Sequence, residues 1–417
     1  MNNLNRRDII ILSAAWTLGS RSLLAQSAGH EAGRSTKPTW LGFGLNRPAD
    51  GGQDRFPLTM AMLAVPRSGR QGSFQIDVNE AIVPQLKTVG DLVTFKDTND
   101  FGENVMLAAI LDYENVLDAR VGTSAFIVMH LVGHGVLLNF DRARGWSMRS
   151  SFPFPVTLLR ESRGGNATSE ARQYLAEAYT GSQNSFATSF AKAVKRLSPR
   201  WKDSGSGHNF NIRVMSSTIH PEAQSKLSSW GIAKNVNSTW LGHLASAAIC
   251  EGLDVPVVPY EESHALGNYT YTFSERLVAQ NVRLPGEDDI DIRIHATLRN
   301  IGREIKYRSQ LQRWEVTRMV VIDLRILDDR NEEIVALRLG YQDDQSDALA
   351  REEDNSAARD AHFFDMAIYR GLQTLFGGID KNDKSLLAKV FVKPDAKQQD
   401  GLTEFRRRYR QAFEKGN

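Results

Sequence analysis

The chain has 417 residues, 41% of them hydrophobic and 24% charged, with 51 basic against 49 acidic side chains. That length asks for more than one small core, and the composition excludes a disordered or membrane-embedded class. One cysteine, Cys250, excludes an intrachain disulfide, paired-cysteine redox chemistry and cysteine-rich metal sites.

Asn5-Arg6-Arg7-Asp8 precedes the apolar run Ile9 to Leu18, and Ala25-Gln26-Ser27 places small residues where a signal peptidase reads. Residues 1–27 are therefore expected to be a cleaved export signal, twin-arginine-like in its paired arginines, with an ordinary Sec signal as the alternative. Cleavage would leave a mature amino terminus near Ala28 and remove Arg6, Arg7, Arg21 and Asp8, so that the mature chain is electrically balanced. No global field for nucleic acid or an anionic membrane then remains, and a periplasmic or secreted protein without a transmembrane segment is expected.

Small, polar residues 28–39 read as a leader. Over residues 40–198 the pattern predicts a first α/β domain. Leu58 to Val65 reads as a short strand, Asn79 to Val89 mixes strand and helix signals, and Glu103 to Asp112 carries Val105, Met106, Ala109 and Ile110 at helical spacing. Phe126 to Phe140 is apolar on both faces, which predicts a strand covered on both sides. A polar reversal at Asp141 to Gly145 leads to Trp146–Leu159, whose Pro153 and Pro155 belong at an edge or bulge. Helices are expected over Glu170–Tyr179 and Ser185–Leu197.

Residues 199–209 read as a linker. A second α/β domain is expected over residues 210–379: a strand at Phe210–Ile219, helices at Pro221–Trp230 and Ser238–Glu251, and a short strand at Asp254–Pro259. Three alternating strands follow. Ile290, Ile292, Ile294, Ala296 and Leu298 share one face; Val320, Ile322, Leu324 and Ile326 repeat the pattern; Val335, Leu337 and Leu339 close a β-meander. Ala361, Phe364, Ile368, Leu372 and Leu375 form a helical stripe to cover it, with Asp354, Asn355 or Ser356 as N-cap and Gly377-Gly378 as the expected stop. In the tail, residues 380–417, a second stripe of Leu402, Phe405, Tyr409 and Phe413 is flanked by arginines. It could meet a partner groove or an anionic surface, although packing on its own domain explains it more simply. The fold class expected is α+β, with mixed sheets covered mainly on one side by helices. Both halves run strand, helix, strand, hairpin and closing helix, which favours a divergent tandem duplication, though two α/β domains can share such an order by chance.

No phosphate loop, dinucleotide fingerprint, zinc-protease helix or nucleophile elbow occurs, and no metal or cofactor is expected. His130 and His134 are four apart on one strand face, about 13 Å, too far to share an ion unless the intervening glycines bulge the strand. Both read as structural. His243 and Cys250 share a face of their helix with Leu244 and Ala247 and read as core. The weak catalytic candidates are Glu261, Glu262 and His264, in a loop after the Asp254–Pro259 segment, where two carboxylates and an imidazole could make a metal or acid/base site. A polar loop explains the same letters.

The order of elements in residues 210–378, with Asp254–Tyr260, the reversal at Leu327-Asp328-Asp329-Arg330 and the helix Ala358–Phe376, resembles small periplasmic α/β domains of envelope assembly factors, of the kind in the curli-secretion lipoprotein and at the amino terminus of the TolB translocation protein. That resemblance implies a non-catalytic binding or assembly module acting through an envelope protein partner. The competing expectation is a twin-arginine-exported enzyme, a hydrolase or metal-dependent catalyst, using Glu261, Glu262 and His264.

Overall fold

The first β-rich block is apolar on both faces because, in the computed structural model, it is rolled into a barrel with helices packed outside it. The structure describes residues 37–47, 56–63, 73–95, 105–121, 124–141, 145–162, 167–201, 210–261, 268–273, 278–311, 313–342, 347–349, 357–390 and 394–414. The expected export signal, nearly all of the leader, most of the linker and the expected N-caps Asp354, Asn355 and Ser356 lie outside them.

The barrel is built from β1 (Thr39–Arg47), β2 (Met106–Val121), β3 (Ser124–Asp141), β4 (Gly145–Ser162), β6 (Asn268–Phe273) and β7 (Val278–Arg283), closed in the order β1-β2-β3-β4-β7-β6. Met106, Ala108, Ile110, Val136 and Leu138 alternate onto its inner face, where they pack with Trp146, Tyr271 and Val282. Leu107, Ala109, Leu111, Leu131 and Leu137 point outward into the main core. Helices α1 (Pro57–Leu63), α2 (Ser73–Thr88), α3 (Ala167–Thr180) and α4 (Phe186–Leu197) supply that outer layer. Two expectations are corrected here. The described part of Leu58–Val65 lies in helix α1, and of Glu103–Asp112 the residues from Met106 on open strand β2: a strand apolar on both faces fits a helical template as well as its own.

The second sheet has the order β10-β9-β8-β5, from β5 (Ile212–Ile219), β8 (Ile292–Arg308), β9 (Arg313–Asp328) and β10 (Glu333–Gln342), with β11 (Asp347–Leu349) beside the far end of β9. The expected meander is present, and the fold is mixed α+β with two mixed sheets. Between β5 and β8 the chain forms α5 (Pro221–Ser229) and α6 (Ser238–Leu253), then crosses to contribute β6 and β7 to the barrel. Residues 210–379 are thus shared between both sheets. Asp254–Pro259 is not a strand; only Val258 bridges, to Arg213.

Helix α7 (Ala357–Lys381) covers the second sheet and runs past Gly377-Gly378 to Asn382, which takes the left-handed conformation. The glycines serve packing instead: a side chain at Gly252 of α6 would strike Phe376 and the backbone at Gln373 and Gly377, and one at Gly378 would strike Leu387. Short α8 (Lys384–Lys389) and α9 (Ala396–Glu414) complete the layer, with Leu402, Phe405 and Tyr409 buried against their own domain.

The two sheets share a detailed register. In each, a strand pairs in parallel with the first strand of an antiparallel meander: β1 with β2-β3-β4, and β5 with β8-β9-β10. Leu41 and Met215 are the extra residues of the parallel pairs. The next residues, Gly42 and Ser216, face Ala108 and His295, and four positions beyond these come the bulged residues Asp112 and Arg299. A third bulge sits at Arg149 in β4 and at Ile334 in β10, again at matching steps along the partner strand. The closure of the first sheet by β6 and β7 does not recur in the second.

Gly133 and Gly135 are where phenylalanines of β4 lie flat on β3. Gly133 pairs with Phe154 and Gly135 with Phe152, and a Cβ at either position would collide with that ring. Replacing Gly135 with Ala is expected to cost about 1–3 kcal/mol of stability through overpacking, measured as a lower urea midpoint at an unchanged slope.

Candidate metal centre

Asn46 of β1, Asp112 of β2, His134 of β3 and Tyr271 of β6 meet at one end of the barrel, its mouth. Helix α6, which starts at the Asn237 cap and packs on β4 and β5, brings His243 to the same place. All of these side chains are buried, with Asp112 and His134 at 1% exposure and His243 at 2%.

The bulge decides the geometry. Leu111 pairs with Gly133 and Tyr113 with Val132, which leaves Asp112 unpaired between them and turns its carboxylate into the mouth. Asp112 Oδ2 stands 3.0 Å from His134 Nε2 and 3.2 Å from His243 Nδ1, and the three donor atoms lie within 4.8 Å of one another. Asn46 Nδ2 donates to the other oxygen, Oδ1, at 2.5 Å. Despite the short separations, Asp112 Oδ2, His134 Nε2 and His243 Nδ1 make no hydrogen bond of acceptable angle among the described residues. Ligands of a tetrahedral ion about 2.0–2.1 Å away would stand about 3.3 Å apart, with their lone pairs aimed at the ion instead of at each other. The two separations from Asp112 Oδ2, 3.0 and 3.2 Å, are close to that spacing.

Electrostatics agree. Burial alone would raise the Asp112 carboxyl, but the imidazoles of His134 and His243 outweigh it and hold the group well below the usual carboxylate range. Asp112 is therefore a carboxylate. Burial, and then the charges of Asp112 and Glu261, push the Tyr271 phenol well above its ordinary value and keep it neutral beside the site.

A second buried pair lies farther along β3. His130 Nε2 is 3.0 Å from Asp365 Oδ2 of α7, and Trp240 of α6 lies between the pairs, its ring 5.1 Å from both His130 and Tyr113. Beyond it, Asp360 is held by Arg303 and Arg318, each with a contact at 2.5 Å. On the outer face Glu114 accepts from the Thr59 hydroxyl and from the amides of Leu58 and Thr59, anchoring α1.

The sequence expectations fare unevenly against this geometry. β3 does not bulge at its glycines; the bulge is in β2, so His134 and His130 serve different aspartates. His243 is buried as expected but belongs to the site, while Cys250 is core, its thiol pushed up to about 12 by burial. Glu261 is buried near Tyr271; Glu262 and His264 lie outside the described residues. Asp112 was hidden by the helical reading of its segment, although the break from an apolar run into Asp112-Tyr113-Glu114 marks where β2 changes environment.

His362 provides a test of the buried seam. Burial, then the neighbouring His130, Arg318 and Arg370, lower its pKa from 6.5 to about 3. On acidification the unfolded chain takes up this proton first, so stability is present above pH 6.5 and is lost as pH falls toward 3, by at most about 1.4 kcal/mol per pH unit. Urea midpoints at successive pH values should show that slope, and His362→Gln should flatten it. In comparisons with known proteins, no family model matches the chain and no curated protein matches it.

Proposed function

We propose that this chain is an exported envelope protein whose Asp112, His134 and His243 hold one divalent transition-metal ion, with Zn²⁺ the natural candidate for two imidazoles and a carboxylate. The observation that carries the reading is the convergence of three buried donor atoms at ligand spacing. Asn46 on Oδ1 plays the part of an outer partner that fixes the carboxylate for one-oxygen binding. Three protein ligands leave a fourth position, the ligand count of zinc ions that activate water, so hydrolysis is the activity to assay first. Export is supported by Arg6-Arg7 ahead of the apolar run Ile9 to Leu18.

We also infer that the two sheets are divergent copies of one unit. Three bulges at matching register support this more strongly than strand order alone, because each is a local accident that pairing does not require. In this alignment Asp112 of the first copy answers Arg299 of the second, so the metal chemistry belongs to the first copy and the second lends it His243.

A second reading, the non-catalytic assembly module working through an envelope partner, is favoured by one observation. The β8–β9 hairpin extends past the ends of β5 and β10 as an arm, edged at Trp314–Val316 by β11, on which Tyr307 and Leu311 are exposed. Apolar residues at the tip of an arm suit a protein contact.

The metal reading is tested on the mature chain purified without chelators. Elemental analysis should find about one metal ion per chain, and Asp112→Asn, His134→Gln and His243→Gln should each lose it. Added Zn²⁺ should raise the melting temperature of the wild type alone. A wild-type chain that neither carries nor retains metal would overturn the assignment.

A further inference from the structure

A cavity of about 730 Å³ opens where the end of α7, the short α8 and the middle of α9 come together. That volume is within the usual range for small-molecule sites. Its floor is aliphatic, made by Ile379, Leu387 and Leu402. Its charged lining is one-sided: Lys384, Arg406, Arg407 and Arg410 contribute, and among the described residues no acidic side chain does.

The four cations are not equivalent. Arg407 is paired with Glu404 at 2.6 Å and Arg410 with Asp380 at 3.1 Å, so their charge is already answered within α9 and by α7. Arg406 donates Nε to the main-chain carbonyl of Asp380, which orients the guanidinium without neutralising it. The Asp380 carboxylate is itself taken by the Tyr409 hydroxyl and Arg410. Among the described residues, neither Lys384 nor Arg406 has a carboxylate partner.

Two uncompensated cations at the rim of an aliphatic floor select a molecule with both properties. We infer that this cavity binds an anionic amphiphile, a carboxylate or phosphate head on an apolar tail, with the head at Lys384 and Arg406 and the tail against Ile379, Leu387 and Leu402. The site shares no residue with the barrel mouth and does not depend on the metal reading.

Calorimetry on the mature chain with dodecanoate and with dodecyl phosphate tests it, alongside inorganic phosphate and the uncharged dodecyl maltoside. Saturable one-to-one binding of either charged amphiphile is expected, and whichever binds more tightly identifies the head group. The Lys384→Ala, Arg406→Ala double variant should weaken it by about tenfold or more, the worth of a charge-assisted hydrogen bond. Ala388 lines the cavity and is exposed, so Ala388→Trp should obstruct binding while leaving the melting temperature unchanged. Four results would each overturn the inference: no saturable binding, equal affinity for inorganic phosphate, equal affinity for the neutral detergent, or charged-amphiphile binding untouched by both variants.

Discussion

One misfit residue in a strand organises the centre of this protein. Had β2 paired with β3 without interruption, Asp112 would have stood opposite a residue of β3 and Glu114 would have shared its face. The bulge breaks that alternation, so Asp112 and Tyr113 both serve the inner side while Glu114 is released to the outer side. The inner residues meet His134, His243 and Trp240; the outer one gathers Thr59 and the start of α1. A single extra residue thus places two acidic groups in two different networks on opposite faces of one sheet.

Those networks carry a large electrostatic cost. Asp112, Asp360 and Asp365 are each 1% exposed and His130, His134 and His243 between 0% and 2%, inside a core that is otherwise largely aliphatic and aromatic. Buried ion pairs of this kind roughly break even against apolar packing at best. At Asp360 two arginines converge on one carboxylate, so that acid is fully answered by fixed cations. The arrangement at Asp112 is different in number: it brings three donor atoms to one place, where the His130–Asp365 pair, equally without hydrogen-bond geometry, brings two. A cation at their centre would satisfy all three donors at once, which distinguishes this cluster from its neighbours.

The sequence exposed some of this and concealed the rest for physical reasons. Alternation along Ile292–Leu298, Val320–Ile326 and Val335–Leu339 was readable because that sheet buries one face only. The barrel strands bury both faces, so the period-two signal vanished and Glu103–Asp112 passed for helix. Spacing showed that His130 and His134 share a face, and distance argued rightly against a common ion. What no spacing rule could supply was the third party, since Asp112 and His243 come from elements 131 residues apart in sequence, joined by strand register and by α6 crossing the barrel mouth. Gly133 and Gly135 misled in a related way: glycines in a strand signal a close approach as readily as a bulge, and here the approaching groups are Phe154 and Phe152.

The way the halves interlock makes the centre a property of the whole chain. The barrel is closed by β6 and β7, which come from the stretch between α6 and the second sheet, and its mouth is covered by α6 itself. Neither half can complete the site alone: residues 40–198 hold Asp112 and His134 but neither His243 nor the closing strands. Helix α6 is fixed in turn by α7, to which it packs so closely that Gly252 has no room for a side chain. The position of His243 is therefore set by contacts with the second sheet's covering helix, and that of Asp112 by pairing inside the first sheet. Any ion held between them would tie the two folding units together at their junction, so that losing the packing of either would release it.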